Sequence, residues 1–298
     1  LKEVAALGGG ALFSSSSLAF AAGSPDWKNH IGLELYTVRN LTPKDYEGTV
    51  AKVAEIGYKE VEPVDYGGMT PKQYRAMLDK YGLTAPSTHA GATEGPDLEK
   101  ELEGFQVMGI RYAEIRAPRN PNAPRGGGRG PQTEESVKRT AEQTNRHGEI
   151  AKKFGMKMLI HNHTMEFAPL EGSSKRPYDV LLAETDPALV AMQLDIGWAS
   201  VAGQNILEMF EKHPGRFELW HVKDAKGIRE MTPQMNQGER MRAAKLVPVG
   251  EGEVSYKAIF AKAQQAGLKH FCVEQDNAIQ GDSIAAAKTS YQNLRRIL

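Results

Sequence analysis

Met158-Leu159-Ile160-His161-Asn162-His163-Thr164-Met165-Glu166 begins as an apolar run and ends in two histidines and an acid. Three later apolar runs repeat this pattern and close at Asp195, His221 and Glu274. Each run predicts a buried strand with its polar residue at the carboxyl end. In a closed parallel barrel the ends of neighbouring strands converge, so these imidazoles and carboxylates would meet in one pocket.

The rest of the chain alternates strand and helix patterns from His30 onward. The predicted strands are 31–38, 58–64, 83–89, 111–116, 156–163, 190–196, 217–224 and 270–274. The predicted helices are Thr42 to Gly57, Thr70 to Gly82, Pro96 to Gly109, Thr133 to Gly155, Tyr178 to Glu184, Asn205 to Lys212, Ser255 to Gly267 and Ser283 to Ile297. Strict alternation in a chain of 298 residues predicts an α/β fold, a (β/α)8 TIM barrel, with a doubly wound open sheet as the alternative.

Two segments interrupt this alternation. Pro118 to Pro131 is rich in proline, glycine and arginine and follows the fourth predicted strand, and Ala225 to Gly252 follows the seventh. In a barrel both would lie on the catalytic face, where long loops act as lids or subunit contacts in a possible homo-oligomer. Surface disorder is the alternative for the first segment.

The composition limits the classes of partner. The chain has 37 basic and 37 acidic residues, so no net charge favours a polyanion, and we expect no nucleic-acid partner. The single cysteine, Cys272, excludes an internal disulfide. Because Cys272 lies inside an apolar run, we expect a buried and unreactive thiol.

Residues 1–23 differ from the rest of the chain. Ala5 to Ala22 is apolar and serine-rich, and Ala19-Phe20-Ala21 offers a small-x-small processing site. We interpret 1–23 as the remnant of an export signal, which predicts a periplasmic or otherwise exported protein and no membrane span in the mature form. The alternative is a disordered or docking arm on a cytoplasmic protein. The barrel domain is predicted to occupy 24–298.

Carboxylates and imidazoles crowded at the ends of strands five to eight are unfavourable without a stabilising interaction. Buried without a cation, they would repel one another or lose solvation. One divalent metal ion resolves this conflict, and the mixed ligands suit Mn, Co, Zn, Fe or, less well, Mg, without deciding among them.

Five stretches of the chain together resemble the sugar phosphate isomerase/epimerase family, one of the xylose-isomerase-like TIM barrels. They are Leu33-Glu34-Leu35-Tyr36-Thr37-Val38-Arg39, His161-Asn162-His163-Thr164-Met165-Glu166-Phe167, Leu194-Asp195-Ile196-Gly197-Trp198, His221-Val222-Lys223-Asp224 and Val249-Gly250-Glu251-Gly252. The resemblance runs from about His30 to the carboxyl end.

The resemblance implies one divalent metal held by Glu, Asp, His and Glu from strands five to eight. Asp195, His221 and Glu274 match the last three positions. Glu166 is the expected first ligand, reaching back to the metal, with His161 or His163 as a replacement or an added ligand.

The resemblance also implies proton transfer next to a sugar carbonyl, through an enediolate that the metal stabilises. Glu274 and Glu166 are the expected pair of acid–base groups. His163 and Lys223 complete the predicted catalytic set, with Lys223 polarising a hydroxyl or a carbonyl.

The predicted substrate-binding residues surround this centre. His89 is expected to face the sugar, Tyr36 and Trp198 to stack on it, and His161 and Glu114 to contact it, with Arg116 beside Glu114. Each has a structural alternative, such as a strand-end histidine, a core aromatic side chain or an ion pair with a neighbour.

The function predicted from this pattern is a metal-dependent sugar isomerase or epimerase that acts on a small sugar or keto-sugar. A 3-keto-glycoside lyase or hydratase would use an almost identical site, and a metal-stabilised sugar-binding protein is the alternative without catalysis. A DNA-repair endonuclease is disfavoured, because the sequence lacks a denser ligand array and a basic groove. The chain contains no P-loop pattern, which favours a free or glycosidic sugar over a sugar phosphate.

Overall fold

The computed structural model describes residues 26–116 and 132–298. The predicted export signal or arm at 1–23 and the predicted irregular loop from Pro118 to Pro131 lie outside the described residues.

Within these ranges, eight parallel strands form a nearly closed barrel. They are β1 (Ile31–Glu34), β2 (Glu60–Glu62), β3 (Ser87–Thr93), β4 (Tyr112–Arg116), β5 (Lys157–His161), β6 (Val190–Asp195), β7 (Leu219–Val222) and β10 (His270–Val273), in the spatial order β2-β1-β10-β7-β6-β5-β4-β3. A separate hairpin is formed by β8 (Asp224–Lys226) and β9 (Lys245–Val247). The gap between β2 and β3 is spanned by Val61 N donating to Thr84 O at 2.9 Å. The TIM-barrel prediction is confirmed.

Helices separate the strands and cover the barrel. They are α1 (Tyr46–Ile56), α2 (Pro71–Lys80), α3 (Leu98–Met108), α4 (Glu134–Lys152), α5 (Pro177–Glu184), α6 (Ile196–Val201), α7 (Ile206–Lys212), α8 (Gln237–Ala243), α9 (Tyr256–Phe260), α10 (Ala263–Ala266) and α11 (Ser283–Ile297). Short 3₁₀ turns lie at Trp27–Asn29, Leu35–Val38, Met165–Phe167 and Ala278–Gln280. Thr70 and Gln73 form a reciprocal capping box at the start of α2, as the Thr-Pro start predicts. No helix in the described ranges combines the length and the apolarity of a membrane span.

Several predicted boundaries shift for local reasons. Asp45, not Thr42, caps α1, because Thr42 precedes Pro43 and the residue before proline disfavours helical backbone. The third strand begins at Ser87 rather than Leu83, since Pro86 has no N–H for a strand ladder. The predicted helix after Ser255 divides into α9 and α10, and the Ser255 side chain makes no capping bond.

The inside of the barrel is layered along its axis. Tyr112, Leu159, Ala191 and Leu219 form a buried apolar cluster on β4, β5, β6 and β7. At the amino end, Glu218 accepts hydrogen bonds from Tyr112, Lys157 and Lys269. The apolar cluster thus lies on strands that carry an ionic group at their amino end and functional residues at their carboxyl end.

The predicted loop from Ala225 to Gly252 contains regular structure. It holds the hairpin and α8, and it returns to the barrel beside its own start. The buried carboxylate of Asp224 accepts from the backbone N–H groups of Ala225, Gly250, Gly252 and Val254 at 2.9–3.1 Å. Gly252 is needed there, because a Cβ atom would lie 2.1 Å from Asp224 Oδ1. Asp224 therefore joins the two ends of the excursion.

Candidate functional site

The carboxyl ends of the strands bring imidazoles and carboxylates together, as predicted from the apolar runs. Among the described residues there are three groups whose potential ligand atoms lie within 4.8 Å of one another, and His221 belongs to each group. The groups are Asp195–His221–Glu274, Glu34–Glu62–His221 and His89–His161–His221. The cluster therefore spreads beyond strands five to eight, around the whole top of the barrel.

The first group contains the three residues that matched the family pattern clearly. His221 Nδ1 lies 2.8 Å from Glu274 Oε2, and the fully buried Lys223 places Nζ 3.1 Å from Asp195 Oδ2 and 3.0 Å from Glu274 Oε2. Lys223 Nζ also lies 2.6 Å from Asp276 Oδ2. A single buried ammonium is thus shared by three carboxylates.

The two carboxylate oxygens of Asp195 have different contacts. Oδ1 accepts from Trp198 N at 2.7 Å and caps α6, which was the structural alternative for this residue. Oδ2 is buried and accepts no hydrogen bond of regular geometry from the described residues. His161 Nε2 lies 3.9 Å from Oδ2, too far for a hydrogen bond. The contact that Oδ2 does make is the ion pair with Lys223 Nζ at 3.1 Å. Two ligands of one metal can be up to about 4 Å apart, so the carboxylate and imidazole donors around this oxygen fit a divalent cation.

Glu62 is a site residue that the sequence analysis missed. Its side chain is fully buried at the end of β2, and Glu62 Oε2 lies 2.6 Å from His221 Nε2. The carboxylate of Glu34, at the end of β1, lies within 4.8 Å of the ligand atoms of Glu62 and His221. Both glutamates directly follow an apolar residue at a strand end, which is the same signal that identified Asp195 and Glu274.

Gln193, on β6 two residues before Asp195, was missed as well. Its Nε2 donates to Glu62 Oε1 at 2.9 Å and to Glu62 Oε2 at 3.0 Å. Its Oε1 lies 2.7 Å from His89 Nε2 and 3.1 Å from His161 Nδ1. One buried amide therefore contacts a carboxylate and two imidazoles.

The surroundings of Glu274 and His221 favour an ionised carboxylate and a protonated imidazole. Burial acts to raise the pKa of Glu274, but Lys223 and His221 outweigh burial and hold that pKa well below its usual range. Burial would lower the pKa of His221, but Glu62 and Glu274 raise it to about 10. Glu274 is thus held as an anion, while His221 carries a proton that a bound cation would displace.

Asp195 and the members of the other two groups behave differently. Burial raises the pKa of Asp195, and burial together with Glu62 raises the pKa of Glu34 well above its usual value. Burial lowers the pKa of His161 well below its usual value, and His221 and His89 add to this effect. His161 is therefore a neutral imidazole, the form that binds metals.

Glu166 lies apart from the three ligand groups among the described residues. The 3₁₀ turn Met165–Phe167 directs its carboxylate back, so that Oε2 accepts from His163 N at 2.8 Å. The structure therefore does not bring Glu166 together with Asp195, His221 and Glu274, because its carboxylate is already engaged by the turn. His163 is exposed, with its ring 4.9 Å from the ring of His161.

The predicted substrate-binding residues line the approach to the cluster. His89 stacks on His221 at 5.2 Å between ring centroids and remains partly exposed. A cavity of about 530 Å³ is lined by His89, Glu114, His161, His163 and Glu166 among others. Glu114 pairs with Arg116 at 2.8 Å, which was the structural alternative for both.

The two predicted stacking residues differ in exposure. Tyr36 is 38% exposed, and the Arg39 guanidinium lies 3.7 Å from its ring centroid. Trp198 is buried, and Lys223 Nζ lies 4.9 Å from its ring centroid. Trp198 is carried by α6, which approaches Lys223 so closely that a Cβ on Gly197 would lie 2.4 Å from Lys223 O.

The chain is similar in sequence to proteins of a known family. A sequence profile of the family described as xylose isomerase-like TIM barrel matches residues 50–297. The inosose dehydratase of Geobacillus kaustophilus (strain HTA426) is 26% identical over 258 residues, which cover 77% of this chain and 80% of the relative.

Two solved structures show the same fold. A sugar phosphate isomerase/epimerase from Parabacteroides distasonis ATCC 8503 has a TM-score of 0.68 at 22% identity, over 94% of this chain and 97% of that one. The IOLI protein, whose structure contains a bound zinc atom, has a TM-score of 0.63 at 13% identity, over 90% of this chain and 97% of that one.

Proposed function

The chain belongs to the xylose isomerase-like TIM barrel family, and from this premise we propose that it is a divalent-metal-dependent enzyme acting on a keto-sugar or a keto-polyol. The family resemblance read from the motifs is thereby confirmed. The proposed reaction begins with removal of a proton from the carbon next to a carbonyl and continues with loss of a hydroxyl group from the neighbouring carbon.

One observation carries this proposal. Asp195, His221 and Glu274 converge at the top of the barrel, and Asp195 Oδ2 is buried there without a hydrogen bond from any described residue. The Lys223 ammonium lies 3.1 Å from this oxygen and is shared with Glu274 and Asp276. One ammonium among three carboxylates leaves negative charge that a divalent ion would neutralise, and zinc in the structurally similar IOLI protein supports the assignment.

We propose His161 as the fourth ligand in place of Glu166. His161 ends β5, the strand from which the family draws its first ligand, and its Nε2 faces Asp195 Oδ2 at 3.9 Å. Glu166 is held by the backbone of His163 and lies outside the ligand groups. An imidazole in place of a carboxylate lowers the negative charge of the site by one and favours Zn, Co, Mn or Fe over Mg.

A bound divalent ion would supply Lewis-acid stabilisation of the negative charge that develops when the proton leaves. Glu274 Oε2 is the proposed base, since it is an anion beside Lys223 and lies at the top of the barrel. Lys223 Nζ stabilises this anion through the ion pair at 3.0 Å. His163, exposed beside His161, is the proposed acid that returns a proton to the departing hydroxyl, which leaves as water.

Elimination is favoured over epimerisation by the placement of the carboxylates. Epimerisation needs a second acid–base group on the opposite face of the substrate. Glu166, which was expected to serve there, lines the cavity, but its Oε2 is bonded to His163 N and it lies outside the three ligand groups. The name of the related inosose dehydratase supports elimination. An isomerase or epimerase remains the second candidate, because proton removal is common to both reactions and the P. distasonis structure carries that name.

The test is an incubation of the purified protein with Mn²⁺ or Zn²⁺ and inosose in D₂O, followed by mass spectrometry and NMR. A dehydratase yields a product lighter by one water molecule. An epimerase yields a stereoisomer that carries solvent deuterium. A sugar-binding protein yields neither deuterium incorporation nor dehydration, and that result over a panel of keto-sugars and keto-polyols would refute the proposed function.

A further inference from the structure

Gln193 occupies an unusual position for an amide. It lies in the interior of the barrel on β6, is 1% exposed, and is hydrogen-bonded through both ends of its side chain. On one side it meets Glu62, and on the other it meets His89 and His161.

The orientation of the amide follows from its contact with Glu62. The two carboxylate oxygens lie 2.9 and 3.0 Å from the same end of the amide, and only the NH₂ group can donate to both of them. The opposite assignment would set the amide oxygen against two acceptors. Glu62 therefore turns Gln193 Oε1 toward the histidines.

The amide oxygen then dictates which ring nitrogens carry protons. It has two lone pairs and cannot donate, so a ring nitrogen that bonds to it must supply the hydrogen. His89 Nε2 at 2.7 Å and His161 Nδ1 at 3.1 Å use these two lone pairs. In the neutral imidazole of His161, a proton on Nδ1 leaves a free lone pair on Nε2, which faces Asp195 Oδ2.

We infer that Gln193 is a positioning residue that fixes His161 as the Nδ1–H tautomer and so presents the Nε2 lone pair to the cation. This inference rests on the proposed metal-dependent function and assigns to Gln193 the outer hydrogen bond that orients a histidine ligand. Glu62 acts one step further out, because it holds the amide in the required orientation.

The first experiment measures the tautomer directly in metal-free protein. Nitrogen-15 NMR of labelled histidine distinguishes a protonated from an unprotonated ring nitrogen, and the His161 signals are assigned by their loss in His161→Asn. We expect Nδ1 protonated and Nε2 unprotonated in the unsubstituted protein. A proton on Nε2 with a free Nδ1 overturns the inference. This readout needs neither metal nor turnover, so failure of the proposed reaction leaves it standing.

The second experiment separates the acceptor role of Gln193 from its bulk. Gln193→Met keeps the length of the side chain but removes the acceptor, and we expect Zn²⁺ affinity to fall about 10- to 100-fold as the tautomer preference is lost. Gln193→Glu keeps an acceptor oxygen toward both histidines, and a proton shared between its other oxygen and Glu62 replaces the lost amide donor, so we expect the tautomer to be retained and the affinity to fall less than in Gln193→Met. Tight Zn²⁺ binding by a folded Gln193→Met protein, or equal losses in both variants, overturns the inference.

Gln106→Met is the matched control. Gln106 is exposed on α3, where its side chain contacts only the carbonyl of Phe154, at 3.3 Å, among the described hydrogen bonds. The same chemical change there leaves the tautomer and the Zn²⁺ affinity as they are in the unsubstituted protein. If Gln193→Met does not fold, the tautomer of the unsubstituted protein and the affinity of Gln193→Glu decide the question.

Discussion

Glu218 at the amino end of the barrel and Asp195 at the carboxyl end are both buried carboxylates, but their surroundings differ. Glu218 accepts hydrogen bonds from Tyr112, Lys157 and Lys269, so both of its carboxylate oxygens have partners. Asp195 Oδ2 has an ion pair with Lys223 Nζ at 3.1 Å but no hydrogen bond of regular geometry from a described residue, and His161 does not reach it. At the amino end two lysines match one carboxylate, whereas at the carboxyl end three carboxylates share one lysine, which favours binding of a further cation.

The same contrast appears on a single strand. Glu60 and Glu62 flank Val61 on β2 and both point into the barrel. Glu60 pairs with His270 Nδ1 at 2.9 Å at the amino end, while Glu62 joins Gln193, His221 and Glu34 at the other end. Two carboxylates one strand repeat apart thus serve stability and function separately. Changes at the two ends should therefore alter different measurable quantities.

The largest effect expected is the loss of turnover on metal removal. Chelation followed by dialysis should abolish proton exchange with the keto-sugar, and Mn²⁺, Co²⁺ or Zn²⁺ should restore it. Asp195→Asn should lose both the activity and the bound metal. Circular dichroism should show a folded barrel throughout, because the amino end and the helix layer do not depend on the cation. Full activity after complete chelation would refute metal dependence.

A smaller loss is expected from Glu274→Gln. Removing a general base typically costs about 10²- to 10⁴-fold in rate, and the neutral amide retains the size of the side chain. We expect kcat for proton exchange to fall within this range. The melting temperature should fall as well, because Glu274 is a buried partner of Lys223 and His221, so kcat is measured well below the unfolding transition, where circular dichroism shows a folded protein. Normal activity in this variant would exclude Glu274 as the base.

At the amino end the effect should be on stability alone. Glu218→Gln removes the charge shared by Lys157 and Lys269, and the free energy of unfolding should fall by about 2–3 kcal/mol, less than for a fully buried pair because both lysines are partly exposed. Urea denaturation measures this change. The kcat of the folded variant should equal that of the unsubstituted protein, and a large drop in kcat would show that the two ends are not independent.

The pH dependence of the unfolding free energy should also distinguish the unsubstituted protein from Glu218→Gln, by a smaller difference. Burial acts to raise the pKa of Glu218, but Lys157 and Lys269 lower it below its usual value. Because the folded-state pKa is depressed, the ionised group stabilises the fold above the unfolded pKa of about 4.3, and this contribution is lost as the pH falls through the folded value. The difference in unfolding free energy between the unsubstituted protein and Glu218→Gln should be constant near neutral pH and shrink in acid. A difference that grows in acid would contradict this assignment.

The sequence predicted the barrel because apolar runs and glycine stops mark the alternation directly. It predicted that Asp195, His221 and Glu274 would lie together because each follows an apolar run at a strand end, and the structure brings their ligand atoms within 4.8 Å of one another. It missed Glu62, although Glu62 also follows an apolar residue at a strand end, because alternation in Glu60-Val61-Glu62 is typical of a strand with one solvent-exposed face, and only barrel closure turns both glutamates inward.

The sequence also did not predict the directions of two side chains. From its spacing to His163, Glu166 was expected to reach the metal, but a 3₁₀ turn places its carboxylate where it accepts from the backbone N–H of His163. Gln193 lies within an apolar run, where nothing in the sequence indicates that its amide meets two histidines from other strands. Such contacts depend on which strands are neighbours and on rotamers, and neither follows from local pattern.

The carboxylate of Asp224 has a consequence for how this protein could diversify. It joins the departure and the return of the excursion through backbone N–H groups alone, so this joint does not depend on the side chains between Gly227 and Ala244. The excursion also packs on α6, where Met231 and Met241 lie against the buried cluster of Trp198 and Val201. Because α8 contacts the turn after β5 through Thr164 Oγ1 and Gln237 O at 3.2 Å, a transplanted excursion would reshape the mouth of the cavity. We therefore expect loop grafts that keep the packing on α6 to change the substrate range before they change the reaction.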